Sequence, residues 1–158
     1  MAKNMYDFYK DAYSEIKGKM PERPYLDKQM SLPIYEGYSV ANLPASICNW
    51  LGSENTGMLP PLAFEKIYGD RFRHVILVIV DGLGAYQMGM IRERLADNSW
   101  LRLMSEYGTE KLLTSIVPSA TAAALTSLWT GVSGGTHGLV GYETWMRSLG
   151  MVVNFLQY

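Results

Sequence analysis

Cysteine, histidine and charge are all scarce in this chain. Of 158 residues, one is cysteine and two are histidine. Cys48 has no second thiol, so no intramolecular disulfide staples the fold, and its apolar surroundings suit a small buried thiol. No His stands near it in sequence to activate a thiolate, which sets aside a cysteine nucleophile. Charged residues make up 18% of the chain, and 14 basic against 15 acidic side chains leave a net charge of -1. That balance offers no footprint for nucleic acid or for an anionic membrane. No apolar run approaches the ~18 residues of a membrane span. The opening MAKNMYDFYKDAYSEIK carries acids early and has no apolar core segment, so it does not read as a secretory signal. A soluble, cytoplasmic protein is expected.

What is present is apolar material for one core: 48% of the residues are hydrophobic, in a chain of about one domain's length. The charge is uneven. All but two of the charged residues precede Leu113, and from there to Tyr158 only Glu143 and Arg147 remain. This last third is expected to be mostly buried or to line a neutral cleft.

Residues 1–70 read as a helical and loop lead-in packing on the core rather than a separate domain. A helix is expected around Asn4 to Lys17, then the proline-broken stretch Pro21 to Pro33. A short helix follows near Leu43 to Leu51, with Asn42 as its cap and Gly52 as its stop, and Gly57 to Phe64 is a loop.

His74 to Val80, HVILVIV, is a continuous β-branched run bounded by turn residues, the pattern of a strand buried on both faces in a parallel sheet. After Asp81-Gly82 come helical patterns at Met88, Ile91 and Leu95 and from Trp100 to Tyr107. A second strand is expected at Lys111 to Val117, a helix at Ala120 to Thr130 closed by Gly131, and a buried strand at Met151 to Leu156. Strand, helix, strand is the order of a βαβ unit. The fold class is α/β, a mostly parallel sheet sandwiched by helices.

Ligands in such sheets bind at the carboxyl ends of strands. Asp81 stands at one such end and Ser119-Ala120-Thr121 at the other. A carboxylate there is a hard oxygen ligand for a divalent cation, and Gly82 lets the backbone turn away. A threonine at a helix N-terminus faces unpaired N–H groups that favour an alkoxide and a phosphate. Together they suggest metal-assisted attack by Thr121 on phosphorus. Each also has a structural alternative, since Asp after a strand forms turns and Ser or Thr after proline caps helices. Other motifs fail. Gly82 to Gln87 lacks the third glycine of the dinucleotide fingerprint, no phosphate-binding P-loop exists, and the GxSxG at Gly131 to Gly135 follows a helix with no Asp behind it. His137 either reaches a site or caps its loop.

VILVIVDGLG (Val75 to Gly84), TSIVPSATAAALTSLWTG (Thr114 to Gly131) and THGLVGY (Thr136 to Tyr142), in this order, resemble the type I phosphodiesterase/nucleotide pyrophosphatase branch of the alkaline phosphatase superfamily. The resemblance implies an alkaline-phosphatase-like α/β fold with a two-metal site, usually zinc. A threonine attacks a phosphodiester or pyrophosphate in line, and the phospho-enzyme is then hydrolysed. Asp81 aligns with a metal-binding aspartate and Thr121 with the nucleophile, which also bridges to a metal. The two cations would lie about 4 Å apart. Where nucleotide-binding members carry an Asn that binds phosphate, this chain has Tyr142, here the candidate substrate contact. After Thr121 the chain has no Asp and only His137, so the second metal site is not complete. The sequence therefore reads as an N-terminal portion, residues 71–158 being the first part of the family's α/β domain. Acting alone, it is expected to be inactive and prone to aggregate. The substrate would be a small phosphoester or nucleotide-like molecule, and nothing specifies an oligomeric state. The alternatives are a phosphomutase or phosphomonoesterase of the same superfamily, and a non-catalytic module that binds a partner. The PSAT sequence around Thr121 argues against a sulfatase.

Overall fold

The computed structural model describes residues 10, 13, 14, 16–19, 32–94 and 100–157. Much of the expected first helix and nearly all of the proline-broken stretch lie outside them, although every described residue from 10 to 19 is helical. Two compact units divide the chain, one from residues 1–20 and 76–112, the other from 21–75 and 113–158.

The second unit is built on helix α1 (Leu43–Leu51) and helix α4 (Thr121–Thr130), with a 3-10 turn at Val40–Asn42 that packs on both. Its centre is Ala41, Ile116 and Ala123, with Leu59, Ala120 and Ala124 against them. Alanines at these points let backbones approach closely, so the core is narrow and needs its polar groups matched. Ser39, Asn42, Ser46 and Thr114 are all buried, and each is bonded. Asn42 Nδ2 donates to the carbonyls of Tyr35 (2.6 Å) and Pro60 (2.7 Å), while its Oδ1 accepts the Ser39 N–H (2.9 Å). Ser46 Oγ accepts the Leu62 N–H, and Thr114 Oγ1 accepts from Ile34 and donates to the Tyr38 carbonyl.

Asn42 thus corrects the sequence expectation. It precedes α1 but does not cap it with its side chain. A cap bonds the second or third helical N–H, and the second residue is Pro44, which has none. The side chain turns back instead and closes a capping box with Ser39. Gly52 ends α1 at φ +73°, as expected.

The sheet differs most from expectation. Among the described residues the only ladder is an antiparallel hairpin, β1 (Glu143–Met146) with β2 (Met151–Asn154), Glu143 opposite Asn154. Met151 to Leu156 is therefore half of a hairpin, and Met151, Val152 and Leu156 are exposed rather than buried. Lys111 to Val117 contributes one parallel bridge, Ser39 to Thr114, so its neighbour is the lead-in and not residues 74–80. His74 to Val80 joins no ladder. A parallel strand gains order only from strands beside it, and no described residue supplies them. The fold shown is a small α/β arrangement; a parallel sandwich is not shown.

In the first unit, helix α2 (Ala85–Arg94) follows the Asp81 turn and helix α3 (Trp100–Tyr107) follows it. Trp100, Leu103, Met104 and Tyr107 form an i, i+3, i+4, i+7 stripe, yet all four are exposed. Helix α5 (Gly134–His137) leaves α4 through Gly131, and no described helix is long and apolar enough to cross a membrane.

Candidate active site

The helix that carries Thr121 follows from its composition. Ala122, Ala123, Ala124 and Leu125 are strong helix formers, and Ala122, Ala123 and Ser127 give it a small-residue face that buries. Gly131 ends it at φ +70°, where its N–H bonds the Ser127 carbonyl (2.8 Å). The Gly131 carbonyl accepts the Leu59 N–H at 2.7 Å, anchoring this end to the loop. A Cβ at Gly131 would stand 2.7 Å from the Met58 side chain, so the position requires glycine for space as well as for φ.

Thr121 is the first residue of α4. Two other threonines of the helix bond back by one turn, Thr126 to the Ala122 carbonyl and Thr130 to the Thr126 carbonyl. Thr121 has no helical turn behind it to bond in that way. The cap position is Ala120, which packs on the core and offers no side-chain acceptor to the first turn. An N-terminus left uncapped by a side chain presents its N–H groups and dipole to an anion.

Asp81 lies in the other unit, exposed, with Oδ1 accepting the Gly82 N–H at 2.9 Å and Gly82 at φ +69°. That is the bond of a turn-forming aspartate. Next to this turn in sequence, Leu83, Gly84, Ala85 and Met88 line a cleft of about 190 Å³ with Glu110, Lys111 and Leu112. None of these stood out in the sequence as a site residue. Tyr142 is exposed at the hairpin's open end, where its carbonyl accepts the Phe155 N–H.

His137 is committed to the fold. Its Nδ1 accepts the Leu139 N–H at 3.0 Å, so in the neutral ring Nε2 carries the hydrogen and donates to Ser127 Oγ, also at 3.0 Å. A ring bonded at both nitrogens in this way caps its loop. Ser127, fully buried, is the residue sequence reasoning missed, because nothing in a spacing of ten announces the pairing. Ser133 of the GxSxG run bonds Thr136 Oγ1 at the start of α5. Among the described residues the one raised titration is that of Tyr68, pushed up by burial among Trp50 and Phe64.

Asp81 and Thr121, the cation donors expected from the sequence, belong to different units. Among the described residues no group of three or more His, Cys, Asp or Glu is gathered to hold one. The described residues do not complete a metal site.

A sequence model of the type I phosphodiesterase/nucleotide pyrophosphatase family matches residues 75–158, just over half of the chain. The chain belongs to that family. The match takes in the Asp81 turn, α2 to α5 and the hairpin, and leaves out Ser39, Asn42 and α1, which back the helix of Thr121. No curated protein and no solved structure matches the chain. Membership in the family points to hydrolysis of phosphoester bonds.

Proposed function

We propose that this chain is the nucleophile-bearing part of a hydrolase of phosphodiester or pyrophosphate bonds, with Thr121 as the attacking group. The observation that carries the reading is the position of Thr121 at the first residue of a ten-residue helix with no side-chain cap. There the helix N-terminus favours both a phosphate oxygen and a developing alkoxide. Thr121 Oγ1 would bond phosphorus as the bond to the leaving oxygen breaks, its proton passing to solvent or to the departing group. Water would then displace the threonine and release the phosphomonoester that keeps the remaining ester group. Asp81 would be this chain's carboxylate for one of two divalent cations, zinc in the first instance, whose role is to stabilise charge on the phosphoryl oxygens. Its other ligands would come from outside the described residues, within the family's larger alkaline-phosphatase-like sheet.

The test is hydrolysis of bis(p-nitrophenyl) phosphate with added zinc by the polypeptide from its native source. Thr121→Ala should lower the rate by at least about a thousandfold while Thr121→Ser keeps part of it. Metal-dependent turnover that survives Thr121→Ala overturns the reading.

A second reading, a non-catalytic module completed by a partner, is favoured by the absence of a three-ligand group among the described residues. Zinc titration separates the two. A complete site binds two cations tightly, whereas this chain alone is expected to bind one weakly or none.

A further inference from the structure

Between Leu113 and Gly141 the only ionisable side chain is that of His137. It ends α5, half-buried, with one ring nitrogen on its own loop at Leu139 and the other on Ser127, ten residues back in α4. Finishing a loop requires only the first of these bonds. The second reaches across to another helix. Burial gives Ser127 a reason to be bonded, but a hydroxyl inside a helix can bond the carbonyl one turn behind, as Thr126 and Thr130 do. The histidine is not needed for that.

The contacts of α5 give the bond its consequence. Gly134, at the start of α5, is buried, and a Cβ there would stand 3.0 Å from the Val117 carbonyl oxygen and 4.0 Å from Cδ of the Pro118 ring. The first turn of α5 therefore lies directly against Val117-Pro118, the stretch that leads into Thr121. Ile116 and Ala120 hold that stretch to the core at its two ends, while Val117, Pro118 and Ser119 between them are exposed. Gly131, bonded to Leu59, fixes the near end of the 131–139 loop, and His137 fixes the far end.

We propose that His137 is a positioning residue for Thr121. Through Ser127 it holds α5 down on α4, and α5 in turn backs Val117-Pro118, so that Thr121 starts its helix in one place. The ring touches no substrate and moves no proton in this role. The inference rests on the reading of Thr121 as the nucleophile, for which a displacement of about 1 Å costs on the order of a hundredfold in rate.

Two substitutions separate the two bonds. His137→Asn keeps an acceptor for the N–H two residues on, the ordinary Asx turn, and loses the reach to Ser127. His137→Gln sets an amide donor where Nε2–H stands and keeps that reach. In the polypeptide from its native source, with zinc and bis(p-nitrophenyl) phosphate, His137→Asn should lower kcat about tenfold to a hundredfold with KM within about twofold. His137→Gln should recover most of the loss. Ser127→Ala, the second variant, should match His137→Asn, and the double variant should be no worse than either alone. Amide exchange followed by mass spectrometry without substrate gives a readout apart from turnover. In His137→Asn it should quicken at Ala124, whose N–H bonds the Ala120 carbonyl at 2.9 Å, as well as over residues 133–139, with Leu43 to Leu51 unchanged. A histidine that only finished its loop would quicken 133–139 alone. Turnover that survives Thr121→Ala defeats the nucleophile reading, and the exchange at Ala124 then still decides whether His137 places the helix start. Where Thr121→Ala does abolish turnover, a kcat for both His137→Asn and Ser127→Ala within about twofold of the unaltered protein overturns the proposal. So does quickened exchange confined to 133–139.

Discussion

Ile116 and Ile76 are the same residue in the two units of the molecule, 1% exposed in one and 88% in the other. Around Ile116 the chain has met every requirement of burial. Small residues bring backbones close, and the polar groups trapped with them are each paired, Thr114 and Ser39 between segments more than seventy residues apart. Around Ile76 the side chains are equally apolar and none of this has happened. Hydrophobicity alone does not bury a residue. A strand requires neighbours for its N–H and C=O groups before its side chains can leave water.

That contrast can be tested by cutting into each side of it. Ile116→Ala should cost about 3 to 4 kcal/mol, because a close-packed site leaves a cavity that its neighbours cannot fill. Urea unfolding followed by circular dichroism measures it. Asn42→Ala should cost about 3 kcal/mol in the same experiment, leaving the carbonyls of Tyr35 and Pro60 and the Ser39 N–H without partners. A loss under 1 kcal/mol would mean that water replaces the side chain and that the polar matching is incidental. Gly131→Ala should cost about 1 to 2 kcal/mol, from the left-handed backbone and the crowding of Met58. Ile76→Ala closes the series. It should change stability by less than about 0.5 kcal/mol. A loss comparable to that of Ile116→Ala would show the first unit to be as well packed as the second.

Local elements were legible wherever a local signal decides them. Helix α1 ends where Gly52 says it does, and α3 and α4 keep their expected bounds to within a residue, because caps, propensities and left-handed glycines act over a few positions. Thr121 was legible as a helix start for the same reason. Pairing was not. VILVIV looks the same whether strands lie beside it or not, and Lys111 to Val117 gives no sign that its neighbour is Ser39. The uncharged last third was expected to be mostly buried or to line a neutral cleft, and only parts of its first half are buried. Ile116, Ala122, Ala123 and Ser127 are inside, while Trp145, Leu149, Met151 and Val152 face solvent on a hairpin that joins no further strand among the described residues.

By itself the sequence determined helices α1, α3 and α4 and their stops, the apolar strand pattern and the motif order that marks the family, all properties of residues within a few positions of one another. Only the tertiary structure decided that Asn42 turns away from its helix, that His137 is tied at both nitrogens to Ser127 and Leu139, and which apolar runs are covered. Those outcomes depend on which distant backbone groups come within about 3 Å, and the energy of a hydrogen bond or a buried methyl exists only once that approach has been made.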